Sequence, residues 1–387
     1  MSHPLLTQGG LTYRLQEALG LGGPQVGRRV VRALLLSAIA FAPLVALAVA
    51  QGWALAPDPR RSLLLDYGAY ARFLLAVPAF LFAEGAVDAR CTLMLREFID
   101  TKLIGEGQRG GFRAAIERAV RLRDHPLPEL GILLLAYLQA RSALAFVVST
   151  GHPTWWAPGI PDSSALSLAG WWYMLVSLPL YHFLALLWLW RLVIWTLALK
   201  WITDLDLQLR ASHPDRTGGL GFLNLSLPPF GTVLFGYGAS IGAVAPQDVV
   251  HQEATIQSLA PFMIGGVVVG VAVMVAPLLV FVNKLIVFQR QAILEYTALG
   301  ARYTALFEAR WIARRSDDES ALLGTGDIQS LADLGNSFEI VRQMRNIPID
   351  PRAVIPPALA TAVPMLPAVV VAIGVQPLLK LIVKNVF

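Results

Sequence analysis

Four ionisable side chains lie inside long apolar stretches of this sequence, where a charged group is costly. Arg141 and His182 each fall near the middle of such a stretch, and Glu84 and Arg191 fall nearer the ends of two others. A charge at the centre of a bilayer costs at least about 2.5–3.5 kcal/mol, so such residues usually pair with each other or line a polar path. We expect Glu84 and Arg191 at similar depth, where they could form a structural ion pair.

Arg141 has no carboxylate at its own expected depth, and His182 is predicted at nearly the same level. An arginine side chain keeps its charge in proteins, so Arg141 must be compensated by a partner, by water or by a bound anion. The pattern therefore predicts a pore or substrate path that contains Arg141, His182, Glu84 and Arg191. Arg141 is expected to line it and to favour anions.

A short polar loop with the sequence HPDRTGGLGF supplies a second candidate site. Its possible chemistry resides in His213, Asp215 and Arg216, beside the flexible backbone of Gly218 and Gly219. One interpretation is a gating or ligand-binding loop. The other is a helix stop with a tight turn, in which glycine allows positive φ and the charged side chains bind the loop itself.

The segment Gly238-Ala-Ser-Ile-Gly242 fits the Gly-x-Ser-x-Gly pattern of serine hydrolases, with His182 as the one obvious histidine partner. That motif requires a strand–turn–helix context, whereas this segment is predicted to lie inside an apolar helix. The same glycines fit the helix-packing pattern Gly-x-x-x-Gly, which recurs at Gly266 and Gly270. Close packing of helices is the favoured interpretation, and no catalytic residues are assigned.

Metal and cofactor chemistry find little support in the sequence. Cys91 is the single cysteine, the six histidines are scattered, and no phosphate-binding or dinucleotide-binding motif is present. His251 with Asp248 and Glu253 is a weak grouping. We therefore expect neither a metal nor a cofactor.

The elements that must hold these residues follow from composition. Of 387 residues, 56% are hydrophobic and only 15% are charged, whereas soluble domains carry about 25% charged residues. This predicts an all-α, polytopic bundle of transmembrane helices, each span needing about 20 apolar residues. About seven spans are predicted, or six if the first or last is not a full span. They are residues 30–55, 70–87, 130–150, 169–195, 229–245, 259–288 and a stretch within 355–383.

Two of these spans have alternative interpretations. Arginines followed by an apolar run ending in Ala48-Val49-Ala50 resemble a signal peptide, although the run is longer than usual and a retained helix is favoured. The last span contains several prolines, so it is either a kinked helix, which we favour, or a segment that enters the membrane and returns.

Sidedness is predicted from lysine and arginine, which concentrate on the cytoplasmic side of membrane proteins. The basic segments alternate with three predicted hairpins at residues 30–87, 130–201 and 229–288. They are the tail 1–29 and the segments 88–129, 202–228 and 289–354, which we place in the cytoplasm, before the proline-rich transmembrane segment 355–387. The predicted location is the inner (cytoplasmic) membrane, with a cytoplasmic N-terminus.

The longer cytoplasmic segments are expected to form a small helical layer. A helix leaving the membrane is predicted over residues 283–311, with Tyr296, Leu299, Tyr303 and Leu306 on one face. A second helix starts at Asp327, a favourable cap residue. Acidic residues balance the arginines of this segment, so nucleic acid is not an expected partner despite the net charge of +5.

These features favour an ion channel or small-solute transporter, embedded in the lipid bilayer as a homo-oligomer and handling a small anion or other solute. The alternative is a non-transporting scaffold or signalling component that acts through its cytoplasmic helices. A membrane-embedded enzyme is a second alternative.

Overall fold

The computed structural model describes residues 5–23, 25–162, 165–243, 256–313 and 325–367. These residues form an all-helical protein without strands. The helices are α1 Gly10–Ala18, α2 Val26–Ala50, α3 Tyr67–Asp100, α4 Arg109–Asp124, α5 Pro126–Thr150, α6 Leu168–Thr203, α7 Leu227–Gly242, α8 Ile256–Val275, α9 Val282–Phe307, α10 Asp327–Arg342 and α11 Pro351–Ala362.

Five helical stretches in this part of the chain are long and apolar enough to cross a membrane. They are α2, α3, α5, α6 and the stretch Leu259–Ile312, in which a 3₁₀ turn joins α8 to α9. The protein is thus an all-helical chain with the features of a multi-pass membrane protein. All five stretches extend at least three residues beyond a predicted span at one end or both, because the helices continue through polar turns that a hydropathy pattern excludes.

The predicted count of seven spans is not confirmed. The fifth predicted span, residues 229–245, corresponds to α7, whose 16 residues reach about 24 Å at 1.5 Å per residue. That is shorter than the roughly 30 Å of a hydrocarbon core. The seventh begins with α11, which has 12 residues, and residues 368–387 lie outside the described part. Whether that segment is kinked or re-entrant stays open.

The short helix α7 lies at the centre of the bundle and packs against α3, α8 and α11. It can do so because one side of it carries small residues. An ideal Cβ on Gly238 would lie 2.9 Å from the Thr361 carbonyl carbon, and one on Gly242 would lie 2.8 Å from Met365 Cα. These backbones therefore approach each other as closely as glycine permits. Gly238 and Gly242 thus pack mainly against the last segment.

Gly266 and Gly270 on α8 face the other side of α7. Their ideal Cβ positions would lie 3.1 Å from Ile241 Cδ1 and 3.1 Å from Leu234 Cδ2, respectively. These neighbours are the ends of flexible side chains rather than backbone atoms. The α7–α8 contact is consequently looser than the α7–α11 contact.

A helical hairpin formed by α9 and α10 extends from the same end of the bundle as α4. Tyr303 donates its hydroxyl hydrogen bond to the Asp327 carbonyl at 3.0 Å, and Trp311 Nε1 donates to the Asp327 carboxylate at 2.8 Å. Of the predicted apolar face of α9, Tyr296 and Tyr303 are partly covered, whereas Leu306 is 72% exposed. Only part of that face therefore meets α10.

Candidate functional site

A polar cavity of about 580 Å³, which we call the Trp155 cavity, lies at the end of the bundle opposite α4. It lies between the loop that follows α2, the start of α3, the end of α5 and the loop that precedes α6. Its lining includes Arg60, Asp66, Arg72, His152, Trp155 and Tyr173, together with Ala143 and Phe146 of α5. Charged, aromatic and apolar groups thus share one enclosure.

Asp66 is held by the protein itself. Its carboxylate accepts a hydrogen bond from Trp155 Nε1 at 2.8 Å and one from the Ala69 backbone N–H at 3.1 Å, which makes it the N-cap of α3. The residue is only 8% exposed. These two donors stabilise the buried carboxylate, so Asp66 serves the start of α3 and the placement of Trp155.

Two guanidinium groups reach the same cavity. Arg72 Nη1 donates to the Tyr173 hydroxyl at 2.7 Å, and Arg60 Nη1 lies 3.1 Å from His152 Nδ1. Arginine can only donate, so His152 must accept at Nδ1 and carry its proton on Nε2. The lining therefore combines two cations, an imidazole N–H donor and the single carboxylate of Asp66, and its net positive charge suits an anionic group.

A groove of about 520 Å³ continues along α5 and α6 at mid-helix, and we call it the His182 groove. It shares Ala143 and Phe146 with the Trp155 cavity, so the two concavities adjoin. Its polar lining is Gln139, Ser142, Tyr181, His182 and Tyr237. His182 Nδ1 is enclosed and has no hydrogen-bond partner among the described residues. His182 thus lines this groove, and its role in a path stays a prediction.

Arg141 lies elsewhere. It is exposed on the surface of α5, the least buried of the five candidate spans, and it lines neither the Trp155 cavity nor the His182 groove. Neighbouring Gln139 and Ser142 face the groove because they point in other directions around the helix. That Arg141 lines a path stays a prediction.

Glu84 and Arg191 form a buried ion pair, with Arg191 Nη2 at 2.9 Å from Glu84 Oε1. The structure adds Arg32, whose Nη2 lies 2.9 Å from Glu84 Oε2. Arg191 also stacks over Trp188, with its Cζ 4.8 Å from the ring centroid. Sequence reasoning missed Arg32, because it falls at the edge of the first apolar run, where a basic residue usually marks an interface. This cluster joins α2, α3 and α6.

The N-terminal segment docks next to this cluster through its backbone. The N–H groups of Leu6 and Thr7 donate to Asp88 Oδ1 at 3.1 and 3.2 Å, and the Thr7 hydroxyl donates to Asp88 Oδ2. Arg123 Nη1 donates to the Leu5 carbonyl at 3.0 Å. Leu5 and Leu6 are buried. Part of the segment predicted as a cytoplasmic tail thus packs into the core at this end.

Two further carboxylates extend the same docking site. The Gly10 N–H donates to Asp124 Oδ1 at 3.1 Å, and the Thr12 N–H donates to Glu129 Oε2 at 2.7 Å. Burial opposes ionisation of Asp124, but the hydrogen bond and charge of Arg123 lower the pKa of Asp124 below its ordinary value. Asp88, Asp124 and Glu129 together hold the start of the chain across α3, α4 and α5.

In the HPDRTGG loop, Asp215 organises the backbone. Its carboxylate accepts hydrogen bonds from the N–H groups of Thr217 at 2.8 Å, Gly219 at 3.2 Å and Gly221 at 2.8 Å. Burial alone would raise the pKa of Asp215, but these backbone donors lower it below its ordinary value. Arg216, Gly218 and Gly219 adopt positive φ of 56°, 70° and 96°, which explains the two glycines.

The remaining groups of this loop fix it to its surroundings. His213 Nδ1 lies 2.8 Å from Asp215 Oδ1, and Arg345 donates to the carbonyls of Arg216 and Asp215 at 2.7 and 3.2 Å. Asn224 bridges the loop to the start of α11 through the Pro348 carbonyl and the Asp350 N–H. The charged side chains are thus mostly used in folding, as the tight-turn interpretation expects. A gating or ligand role for the loop stays a prediction.

The Gly-x-Ser-x-Gly segment lies within α7, where the Ser240 hydroxyl donates to the Gly236 carbonyl at 3.0 Å. This is the usual hydrogen bond of a helix-embedded serine, and it lacks the strand–turn–helix geometry of a nucleophile elbow. Among the described residues, no three His, Cys, Asp or Glu side chains come together as a metal site. His251, Asp248 and Glu253 lie outside the described residues.

Comparison of the chain with protein-family models, with curated proteins and with solved structures finds no match.

Proposed function

We propose that this multi-pass membrane protein is a transporter for a solute that carries an anionic group. The proposed path enters through the Trp155 cavity and continues into the His182 groove. The observation that carries the proposal is their continuity, because Ala143 and Phe146 line both concavities. Polar side chains thereby extend from a loop at one end of the bundle to the middle of two apolar helices.

At the opposite end of the bundle, closure of the space between α2, α3 and α6 supports the same proposal, while concavities of about 280 and 770 Å³ lie beside the HPDRTGG loop at that end. The Arg32–Glu84–Arg191 cluster and the docked N-terminal segment occupy the space between α2, α3 and α6. The concavity left between them holds only about 10 Å³, roughly the space of one water molecule. A path that is open at one end of the bundle and blocked by polar contacts between α2, α3 and α6 at the other is compatible with alternating access.

The test is flux in liposomes that contain the purified protein. Chloride, phosphate, acetate and hexyl phosphate are each trapped inside, potassium serves as the cation comparison, and efflux is followed for the wild type and His182→Phe. We expect the wild type to release at least one of the anions and His182→Phe to release none, since the larger ring fills the groove. Leu134→Trp, which adds an aromatic side chain at an exposed position of α5 outside the groove, is the matched control. Absence of any flux from folded wild-type protein would sink the proposal.

Arg141 is tested in the same vesicles with Arg141→Gln and Arg141→Lys. If Arg141 lines a path completed by a second copy of the chain, the glutamine variant loses flux or anion preference and the lysine variant retains part of it. Unchanged flux and selectivity in a normally folded Arg141→Gln variant would indicate that Arg141 has a structural role and does not line the path.

A scaffold or signalling role is the second candidate, favoured by the apolar surface of the α9–α10 hairpin. Leu294 and Leu306 are each 72% exposed, and Ile312 is 67% exposed. Exposed apolar residues on a hairpin predicted to be cytoplasmic indicate a partner surface. Folded protein that catalyses no flux would favour this function over transport.

A further inference from the structure

The direction in which the His182 groove opens determines which ligands it can bind. Phe146 and Leu189, on its two flanking helices, are 68% and 40% exposed, and Gln139 and Ser142 are exposed as well. The groove is therefore open to the surface of the bundle at mid-helix. In a membrane, that surface faces acyl chains rather than water. A small hydrated ion would be exposed to acyl chains there, whereas an alkyl chain would contact groups as apolar as itself.

The Trp155 cavity has the opposite character. Arg60 and Arg72 outnumber the one carboxylate of its lining, Asp66, so the lining carries a net positive charge. The indole and phenol rings of Trp155, Trp156 and Tyr173 line the same cavity as the guanidinium groups. Aromatic side chains beside cations are typical of the level of lipid head groups.

The distance between the Trp155 cavity and the His182 groove also matches the length of one amphiphilic molecule. Along α5, the lining runs from Thr150 in the cavity to Gln139 in the groove. Eleven residues of helix span about 16 Å at 1.5 Å per residue, similar to the length of an extended dodecyl chain. The cavity and the groove also share Ala143 and Phe146, so one ligand can contact both.

We propose that the ligand of this path is a single-chain amphiphile with one anionic head group. The head group, a phosphate or a similar oxyanion, binds Arg60, Arg72 and the Nε2–H of His152, and the alkyl chain lies in the His182 groove between α5 and α6. The inference rests on the proposed function for its site and names the class of substrate. Free inorganic anions share the chemistry of the head group and are the alternative occupant to be excluded.

Binding is measured by native mass spectrometry of the full-length protein released from a maltoside detergent. Three probes are compared: dodecyl phosphate, inorganic phosphate as the head alone, and dodecanol as the chain alone. We expect dodecyl phosphate to bind at least about a hundredfold more tightly than either part, since charge-assisted hydrogen bonds and burial of the chain both contribute.

Two variants locate the ligand. Arg60→Gln should weaken dodecyl phosphate binding about tenfold by removing a charged donor, with Arg302→Gln on the exposed surface of α9 as its control. Leu189→Trp should weaken dodecyl phosphate about tenfold or more by filling the groove, while leaving the weak binding of inorganic phosphate unchanged. Leu134→Trp is the matched control.

Each other outcome is decisive. Equal affinity for inorganic phosphate and dodecyl phosphate would identify a free-anion site and overturn the amphiphile. Equal affinity for dodecanol would overturn the anionic head group. Binding insensitive to both Arg60→Gln and Leu189→Trp, or no binding, would overturn the site. Anion flux without dodecyl phosphate binding would contradict this inference alone, whereas binding without flux would contradict only the proposed transport.

Discussion

Glu84 is the carboxylate that pairs with both buried arginines of the cluster, Arg32 and Arg191. It accepts one guanidinium on each carboxylate oxygen, and the side chains of all three partners are less than 10% exposed. Glu84 neutralises part of the charge of Arg32 and Arg191, and the Trp188 ring adds a favourable contact to Arg191. Such a cluster is costly to form from its separated ions but far more costly to break.

Replacing Glu84 with glutamine should therefore destabilise the protein strongly. Two buried arginines would remain without a carboxylate, and we expect the free energy of unfolding to fall by about 3–5 kcal/mol. Thermal unfolding in a maltoside detergent measures it. Glu106→Gln is the control, since Glu106 pairs with Arg109 in solvent with its side chain 87% exposed, and its change should stay within about 0.5 kcal/mol. A Glu84→Gln variant that unfolds at the same temperature as the wild type would contradict this account.

Asp215 makes a pH-dependent contribution at the residue scale. Its pKa in the folded protein is lowered, so its carboxylate stabilises the fold above the ordinary pKa near about 4, and that stability is lost as pH falls through the lowered value. Asp215→Asn puts an amide where three backbone N–H groups need an acceptor. We expect it to cost about 1.5–3 kcal/mol at neutral pH.

The measurement is thermal unfolding of wild type and Asp215→Asn at neutral pH and at about pH 3, below the ordinary pKa of aspartate. The difference between the two proteins should narrow at the lower pH. Asp100→Asn, at an exposed position at the end of α3, is the control. A difference that is the same at both pH values would show that the charge of Asp215 does not matter.

At the scale of elements, the contact between α7 and α11 is the tightest place in the bundle. An ideal Cβ on Gly238 would overlap the Thr361 carbonyl group, which is backbone and cannot move aside cheaply. The proline pair Pro356 and Pro357 lies one turn before Thr361, whose hydroxyl donates to the Pro357 carbonyl at 2.9 Å. Thr361 thus satisfies a carbonyl in a proline-containing helix and also sets the approach of α7.

Even a methyl group should be too large at this contact. Gly238→Ala is expected to lower the free energy of unfolding by about 1–3 kcal/mol, and Gly238→Leu by more. Gly265→Ala is the matched control, since nothing lies within 4 Å of its ideal Cβ, and it should be neutral or slightly stabilising because alanine favours helix. Thermal unfolding distinguishes them, and equal stability of the two alanine variants would refute the close approach.

At the scale of the whole molecule, the sidedness of the bundle is a prediction from basic residues. The structure places the N-terminal segment, α4, the HPDRTGG loop and the α9–α10 hairpin at one end of the helices. A single membrane orientation therefore determines the environment of all four. It also determines whether the Trp155 cavity opens to the outside.

A reporter inserted after Arg315 is expected to be cytoplasmic, and one within residues 151–162 external. Alkaline phosphatase and green fluorescent protein fusions report the two compartments, because each is active on only one side. A fusion at the N-terminus, expected in the cytoplasm, serves as the internal comparison. Finding the first two reporters on the same side would refute the proposed topology.

Much of the helical framework was predictable, because it depends on local properties of the chain. Long apolar runs predict α2, α3, α5, α6 and α8, and the apolar positions after residue 283 predict α9. The pairing of Glu84 with Arg191 was also predictable, since both had to lie inside apolar helices at similar depth. Helix ends were less so, because hydrogen bonding continues into polar turns that hydropathy does not include.

What only the tertiary structure decided concerns groups brought together from distant parts of the chain. Backbone N–H groups of residues 6–12 find Asp88, Asp124 and Glu129, and no side-chain pattern in a sequence shows where a backbone will dock. Arg141 and Gln139 are two residues apart on one helix, yet only Gln139 lines the groove. Which face of a helix is covered depends on the positions of the neighbouring helices. The sequence determines that charges must be compensated, and the packing determines by what.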